Sequence, residues 1–530
     1  MEKTIFFIVL AVYVIAGSLI TRYVKTKDDF YVMGEKGSTI LIVGTLAATY
    51  LSAATLFGIA GISYSEGPLV IAALGSFGAW IGTLLAVIYV GRKLKALNCQ
   101  TMPDFFEKRF QNKWVSVIAI VIMIIGLLGY GVIQLIGAGL VLSEIINIPF
   151  PMLIMLFTAA LLVFCALGGM YGVVFTDTLM FFTMLGIAAI IAPMIIGQAG
   201  LTNIKELAET IPYYWTIGGT EQRPIGWSIS QFLVWILFFT CTPALVSRVF
   251  PAKNDFVVLK SAVIGVFFAP FMQLLVFLAA SAMQVLQPGI EPADRVMVVG
   301  FMDYVPNFLG GVGLAGLMAS IMSTASTLFV LTGFALSRDL IEHLGNKQLS
   351  EEKGMIIGRL SQVVVGVIVC VIAIAQPSSI YWISVYSGAI FAVGWLPTVV
   401  ASLEWRRMNS KAAIGSMLAG VVSFVGTDEM AKRGFITLPE NIDSLMIGCL
   451  TGVIVLVIIA LLTKPNEHEL EYFNQIKSTT LSKKTIEYIL AEPNGVIKLK
   501  KQYKQTMVIA LSFIVISFFL WGFFFIRLGL

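Results

Sequence analysis

Long apolar stretches recur along the whole chain and limit what it can fold into. Fourteen of them approach or exceed the length that a helix needs to cross the hydrocarbon core of a bilayer, about 20 residues. Since backbone in lipid must satisfy its own hydrogen bonds, we expect each stretch to be a membrane-spanning helix. The stretches are 4–22, 38–63, 69–91, 114–142, 150–168, 173–197, 226–247, 258–286, 306–336, 356–376, 379–404, 410–426, 442–463 and 506–527. The predicted fold class is therefore an all-α polytopic membrane protein with about 14 transmembrane helices.

The composition agrees with this class and excludes several functions. Only 12% of the residues are charged, against about a quarter in soluble proteins. The sequence has no GxxxxGK[ST] motif, so we expect no use of ATP. Its two histidines and five cysteines lack metal-ligand spacing. We therefore expect no enzyme activity, no catalytic residue, no transition metal and no cofactor. The net charge of +5 comes from loop residues and does not indicate nucleic-acid binding.

Lys and Arg are concentrated in alternate loops. The loops after the first, third, seventh, ninth and eleventh stretches are rich in both, whereas the loops on the other side are sparse. Arg248 belongs to this count as a residue of the loop after the seventh stretch. Because basic loops stay in the cytoplasm, we expect a multi-pass protein of the plasma (cytoplasmic) membrane with its N-terminus outside. The basic segment 464–505 is interpreted as a solvated cytoplasmic linker near anionic lipid.

Hydroxyl side chains form a stripe in GLMASIMSTASTLF, residues 316–329. Ser320, Ser323, Thr324 and Thr327 are spaced i, i+3, i+4, i+7, so they share one face of a helix, and Ser326 lies about 60° beyond it. Such hydroxyls often bond their own helix or a neighbouring one. A polar site is the alternative that we favour. Neutral oxygen donors suit a hard monovalent cation.

Two further segments are candidates for broken helices. GTLAATYLSAATLFG, residues 44–58, is crowded with small residues, and a break there would free carbonyls near Ala48 and Leu51. Ordinary close packing of small residues explains the same pattern. In FFTCTPALVSR, residues 238–248, Pro243 removes a helix hydrogen bond at mid-membrane depth, although many such prolines are plain kinks.

Asp177 is the one carboxylate well inside an apolar stretch, in GGMYGVVFTDTLMFF. A helix-start residue that bonds backbone amides is one explanation. An acidic residue in a membrane span is a functional candidate by default, here as a cation relay.

Five segments together resemble the sodium:solute symporter family. They are KTKDDFYVMGEKG, ATYLSAATLFGIAG, GGMYGVVFTDTLM, GLAGLMASIMSTAS and EWRRMNSKAAIGSMLAGVV. Glu35 and Lys36 depart from the small residue and Arg that are usual in the first. The resemblance implies a five-plus-five inverted-repeat core of the leucine-transporter type. The repeats would be 38–197 and 226–404, joined by an extracellular loop, 198–225. The remaining parts would be 1–37, two accessory helices in 405–463, the linker 464–505 and a last helix in 506–530.

The resemblance also implies the site residues. Sodium would bind the carbonyls of Ala48, Leu51 and Ser320 with the hydroxyls of Ser323 and Thr324. A second sodium site or exit path would involve Asp177, Ser326 and Thr327. The residues expected to face the substrate are Tyr50, Thr55, Gln134, Trp235, Phe239 and Pro243.

The implied function is Na⁺-coupled symport of a small organic solute into the cell by alternating access. The proline five residues before Arg248, and TYLSA followed by GIAGISYSEG, favour the pantothenate, monocarboxylate and proline-type branches and a carboxylate-bearing solute. Symport of proline or another amino acid, and a proton-coupled carrier of the same fold, remain alternatives. The expected partners are the solute, Na⁺ and the lipid bilayer, with a monomeric functional unit.

Overall fold

The computed structural model describes residues 1–72, 74–337, 341, 350–375, 380–439 and 441–529. In this part of the chain the secondary structure is helical, apart from one isolated bridge between Gly37 and Ala252. The principal helices are α1 Glu2–Ile20, α2 Thr39–Tyr50, α3 Ala54–Ser65, α4 Gly75–Ala96, α5 Lys113–Ile145, α6 Phe150–Cys165, α7 Gly168–Ala199, α8 Ile225–Cys241, α9 Pro243–Val249, α10 Asp255–Leu286, α11 Asn307–Ser337, α12 Glu352–Ile374, α13 Ile380–Glu404, α14 Ser410–Lys432, α15 Ser444–Leu462, α16 Glu467–Ser478, α17 Lys483–Ala491 and α18 Gly495–Phe523.

Each of the fourteen predicted stretches corresponds to one helical unit. Among the described residues, eleven single helices are long and apolar enough to cross a membrane, and two bent pairs, α2 with α3 and α8 with α9, qualify when each is taken as one span. The shorter apolar helix α6 is the fourteenth unit. The predicted fold class, an all-α polytopic membrane protein, is confirmed.

The two bent pairs are broken where the sequence places small residues or proline. The axes of α2 and α3 meet at 48°, and those of α8 and α9 at 46°. Leu51, which follows the last residue of α2, has ψ 71°, far from the helical value. Thr242 has ψ 118°, because the residue before a proline is disfavoured in the helical region. Each bent pair is the first span of one of the two predicted repeats.

The breaks lie next to the most buried helix of the molecule. The most apolar part of α11 is entirely buried, whereas the corresponding parts of α1 and α18 are 22% buried and belong to the lipid-facing periphery. α11 packs against α7 and contacts α2, and α7 packs against α2 as well. Gly44 of α2 allows this approach, since a Cβ there would lie 2.7 Å from Thr178 of α7.

The segments before α2 and after α9 are joined by the isolated bridge. Gly37 donates its N–H to the Pro251 carbonyl at 2.8 Å, and Lys253 donates to the Gly37 carbonyl at 3.0 Å. A Cβ on Gly37 would come within 2.8 Å of the Pro251 oxygen. The beginning of α2 and the end of α9 are therefore held together by main-chain hydrogen bonds.

The segment 464–505 differs from the solvated linker that its composition suggests. It forms α16, α17 and the first turns of α18, and it packs on the ends of the spanning helices. The Lys484 ammonium donates to the Gly34 and Glu35 carbonyls at 2.9 and 3.2 Å. The buried Thr485 hydroxyl accepts the N–H of Asp255 at 2.8 Å. These tertiary contacts are not visible in the charge pattern of the segment.

Candidate cation and solute sites

A buried ion pair lies between the two broken helices and α7. Asp177 and Arg248 have fully buried side chains, with 3.0 Å between Oδ2 and Nη2. The Thr45 hydroxyl donates to Asp177 Oδ2 at 2.6 Å. Arg248 donates from Nε to the Thr49 hydroxyl at 2.9 Å and from Nη2 to the Thr327 hydroxyl. Asp177 thus serves neither as a helix cap nor as an isolated carboxylate.

The position of Arg248 corrects the sequence analysis, which counted it as a loop residue. Its side chain is completely buried at the end of the α8–α9 pair. The break at Thr242 turns α9 inward, so that a residue close to the end of the apolar stretch still points into the core. An arginine in this position needs an anionic partner, because an unpaired buried charge is strongly destabilising.

The hydroxyl stripe of α11 divides into two groups. Ser320 donates to the Leu317 carbonyl at 2.7 Å, while Ser326 and Thr327 donate to the Ser323 carbonyl at 3.0 and 2.8 Å. These three hydroxyls are satisfied by their own helix, as the packing explanation predicts.

The Ser323 and Thr324 hydroxyls behave differently. Both residues are fully buried, and neither hydroxyl oxygen forms a hydrogen bond of acceptable geometry with the described residues. The Ser323 hydroxyl lies close to the Asp177 carboxylate, whose Oδ1 atom also lacks a hydrogen bond in the described part of the chain. Buried polar atoms are rarely left unpaired, so this group of oxygens is a candidate binding site.

The break between α2 and α3 adds main-chain oxygens. The N–H of Leu51 bonds the Ala47 carbonyl, and those of Thr55 and Leu56 bond the Ser52 carbonyl. Within the described residues, this pattern leaves the carbonyls of Ala48 and Leu51 without a main-chain donor. α2 and α11 are in contact, so these carbonyls and the free hydroxyls belong to adjoining elements. Neutral oxygens of this kind form a donor set for a monovalent cation.

A small cavity lies beside the same break. Four of the six predicted substrate-facing residues line it, namely Tyr50, Thr55, Trp235 and Phe239. The remaining wall is formed by Ala54, Ile59, Gly75, Ser76, Ala79, Tyr130 and Gln273. All of these lining residues are uncharged. The Tyr50 and Phe239 rings pack with their centroids 5.5 Å apart.

The other two predicted residues, Gln134 and Pro243, are not on the wall of this cavity. Gln134 is fully buried and accepts the N–H of Ala53 at 3.3 Å, so it supports the break between α2 and α3. Pro243 is the first residue of α9 and marks the second break.

Sequence reasoning missed Gln273, Ser76 and Tyr130. Gln273 is the lone amide in the apolar middle of α10, and it accepts hydrogen bonds from Trp80 and Tyr50 at 2.8 and 3.3 Å. Tyr130 pairs its hydroxyl with that of Ser52 at 3.0 Å. A polar residue in an apolar stretch is the available signal, but the sequence does not show which cavity it faces.

On the side of the molecule away from the linker, ion pairs join neighbouring loops. Arg223 forms a bidentate pair with Glu66 and covers the Trp227 ring. Burial raises the pKa of Glu66 above its ordinary value, although Arg223 opposes the shift. Asp294 accepts the N–H of Ile380 at 3.4 Å, and burial raises its pKa. In the described part of the chain, no cluster of three or more His, Cys, Asp or Glu side chains could hold a metal ion.

Similar proteins are found among characterised transporters. The chain is 23% identical to the sodium/pantothenate symporter of Haemophilus influenzae, over 82% of this chain and 91% of that protein. It is 25% identical to the osmoregulated proline transporter OpuE of Bacillus subtilis, over 84% of this chain and 93% of that protein.

The fold is that of a solved Na⁺-coupled sialic acid symporter. The two structures superpose with a TM-score of 0.71 at 19% identity, over 88% of this chain and 99% of that one. The sequence profile of the Sodium:solute symporter family matches residues 30–420, most of the chain. Because this match covers most of the chain, the protein belongs to the Sodium:solute symporter family.

Proposed function

We propose that this protein is a secondary active transporter that couples Na⁺ entry to the uptake of a small carboxylate-bearing solute by alternating access. The observation that carries the proposal is the pair of fully buried, unbonded hydroxyls of Ser323 and Thr324 next to the broken helix. A hard monovalent cation satisfies such oxygens without the tight binding that a carboxylate cage would give.

In this proposal, Na⁺ is bound by the carbonyls of Ala48, Leu51 and Ser320 and by the hydroxyls of Ser323 and Thr324. Na⁺ there holds α2 against α11, and α2 also carries Tyr50 on the wall of the solute cavity. Ion and solute therefore favour the same arrangement of one broken helix. Two ligands that prefer the same conformation strengthen each other's binding. A membrane potential of 100 mV adds about 2.3 kcal/mol to the driving force for each Na⁺ that moves into the cell.

The second group, Asp177 with Ser326 and Thr327, is proposed as the exit path of the ion. Asp177 Oδ1 is free for a passing cation, while Oδ2 is held by Thr45 and Arg248. The relatives' names keep two substrate classes open for this chain, pantothenate-like carboxylates and proline. Proton coupling is the alternative, and it would use Asp177, the buried carboxylate that is paired with Arg248.

Sodium binding is tested by thermal unfolding of the purified protein in detergent. NaCl is titrated against KCl and choline chloride at fixed ionic strength, in the native protein and in Ser323→Ala/Thr324→Ala. We expect a Na⁺-specific rise in melting temperature that the double variant loses, because a ligand that binds only the folded state stabilises it. Ser320→Ala is the matched control, since it removes a hydroxyl that bonds its own helix and keeps the main-chain carbonyl that is proposed to bind Na⁺. Equal shifts in the double variant and the native protein would refute the assignment.

A further inference from the structure

The side-chain amide of Gln273 has an orientation that its neighbours determine. Trp80 Nε1 lies 2.8 Å from one atom of the amide, and the Tyr50 hydroxyl lies 3.3 Å from the same atom. An indole N–H can only donate a hydrogen bond, so the atom that receives it must be the amide oxygen. The usual ambiguity between the oxygen and the nitrogen of a glutamine is therefore removed.

The amide nitrogen is consequently turned away from Trp80. It forms no hydrogen bond with the described residues, and Gln273 lines the small cavity beside the broken helix. Ser76 lies on the same wall, 2% exposed, and its hydroxyl also has no partner in the described part of the chain. Ser76 Oγ and Gln273 Nε2 therefore share one cavity as donors without a partner in the described part of the chain, and the buried indole N–H of Trp235 on the same wall is a third. A ligand with acceptor oxygens would satisfy such donors.

The remaining wall restricts what else that ligand carries. Aromatic rings and small apolar side chains form most of it, including Trp235, Phe239 and Ile59. None of the residues lining the cavity carries a carboxylate that would pair with an ammonium group. A solute with one anionic end and an apolar remainder fits these walls better than a zwitterionic amino acid, whose charged amine would lose its hydration without an anionic partner.

We propose that Gln273 Nε2 and the Ser76 hydroxyl bind the carboxylate of a small monocarboxylate, and that Trp80 is a positioning residue that fixes the Gln273 amide. This inference rests on the proposed symport function and narrows its substrate class. Neutral donors suit the task because hydrogen bonds to a carboxylate are strong without a formal charge on the protein.

The test uses the full-length protein in detergent at saturating NaCl, with melting temperature as the readout. The probes are propionate and pyruvate, with propionamide and L-proline for comparison. We expect stabilisation by the monocarboxylates and little by propionamide or proline. The variant Gln273→Glu keeps the oxygen that Trp80 and Tyr50 bond but replaces the NH₂ group by a second oxygen. It is expected to weaken monocarboxylate affinity at least about tenfold, the effect of losing a hydrogen bond to a charged group, while the Na⁺-dependent shift remains.

Two further variants keep the result decisive. Ser76→Ala introduces no charge, so it tests the same subsite if Gln273→Glu does not fold, and we expect a loss of similar size. Gln284→Glu, in the same helix, is the matched control, because Gln284 bonds the Tyr64 carbonyl and is not among the residues that line the cavity. Trp80→Phe frees the amide to turn over, and we expect it to reduce the preference for propionate over propionamide.

The outcomes separate the two proposals. Unchanged monocarboxylate affinity in both Ser76→Ala and Gln273→Glu, or stabilisation of the native protein by proline rather than propionate, would overturn the subsite. The absence of any Na⁺-specific shift in the native protein would instead overturn the symport proposal itself.

Discussion

The Asp177–Arg248 pair places two opposite charges in the membrane-spanning core, with both side chains fully buried. Removing two ions from water is costly, and their attraction offsets this only when the remaining polar atoms are bonded. Thr45 and Thr49 supply such bonds from α2, and Thr327 supplies one from α11. The pair therefore depends on the first broken helix and on α11 being in place together.

Substitutions of this pair separate its structural role from an ionic one. Asp177→Asn leaves the Arg248 charge uncompensated, and we expect it to destabilise the fold by about 3–5 kcal/mol. The double variant Asp177→Asn/Arg248→Gln removes both charges, and most of the stability should return. A double-mutant cycle of chemical unfolding in detergent measures the coupling. Additive losses would show that the two charges do not stabilise each other.

Na⁺-driven uptake in proteoliposomes is the second readout of the same variants. If the double variant folds but transports slowly, the charged pair has a role in transport beyond its role in stability.

At the level of helices, the length of the apolar stretches and the position of proline predicted the elements of the fold. The sequence did not predict how those helices pack against one another. Up to thirteen spans among the described residues, with each bent pair counted as one, follow from stretches long enough to cross the bilayer, and the break at Thr242 follows from Pro243. There is no proline at the break at Leu51, so the sequence did not distinguish a broken helix from ordinary close packing of small residues. The structure shows both features, with Gly44 packed against α7 and the helix ending at Tyr50.

The site residues were predictable to a similar extent. The α11 stripe was found from its spacing, but only contacts show that Ser323 and Thr324 are free while three neighbouring hydroxyls are not. Gln273 was not predicted as a site residue, because a single glutamine in an apolar helix does not indicate which cavity it faces.

Helix α17 is the element whose role the contacts define most sharply. Lys484 bonds the segment before α2, and Thr485 bonds the first residue of α10. The helix therefore holds two separate loops together on one side of the molecule.

We expect Lys484→Ala to weaken the packing of α17, because it removes the ammonium that bonds two carbonyls and pairs with the Glu35 carboxylate. Amide hydrogen exchange in residues 483–491 should increase measurably, with little change in α11. Lys483→Ala is the control, since it is the neighbouring lysine. Equal protection of 483–491 in Lys484→Ala and the native protein would contradict the assigned docking.

Across the whole molecule, loop contacts show which loops share a side. Glu66 follows the second span and pairs with Arg223, which follows the sixth. Glu35 follows the first span and pairs with Lys484, which follows the thirteenth. Both pairings agree with a chain that crosses the membrane at every one of the fourteen units. The distribution of Lys and Arg predicts which of the two sides is cytoplasmic.

The orientation leads to a labelling experiment on intact cells. Glu209 lies exposed in the short helix Leu201–Thr210 after the sixth span, and Ser478 lies exposed at the end of α16. A membrane-impermeant maleimide should label Glu209→Cys on intact cells and label Ser478→Cys only after the cells are opened. The native protein provides the background, because four of its cysteines are buried and Cys449 is partly buried. The reverse pattern would place the N-terminus in the cytoplasm and the linker outside the cell, and the predicted orientation would be wrong.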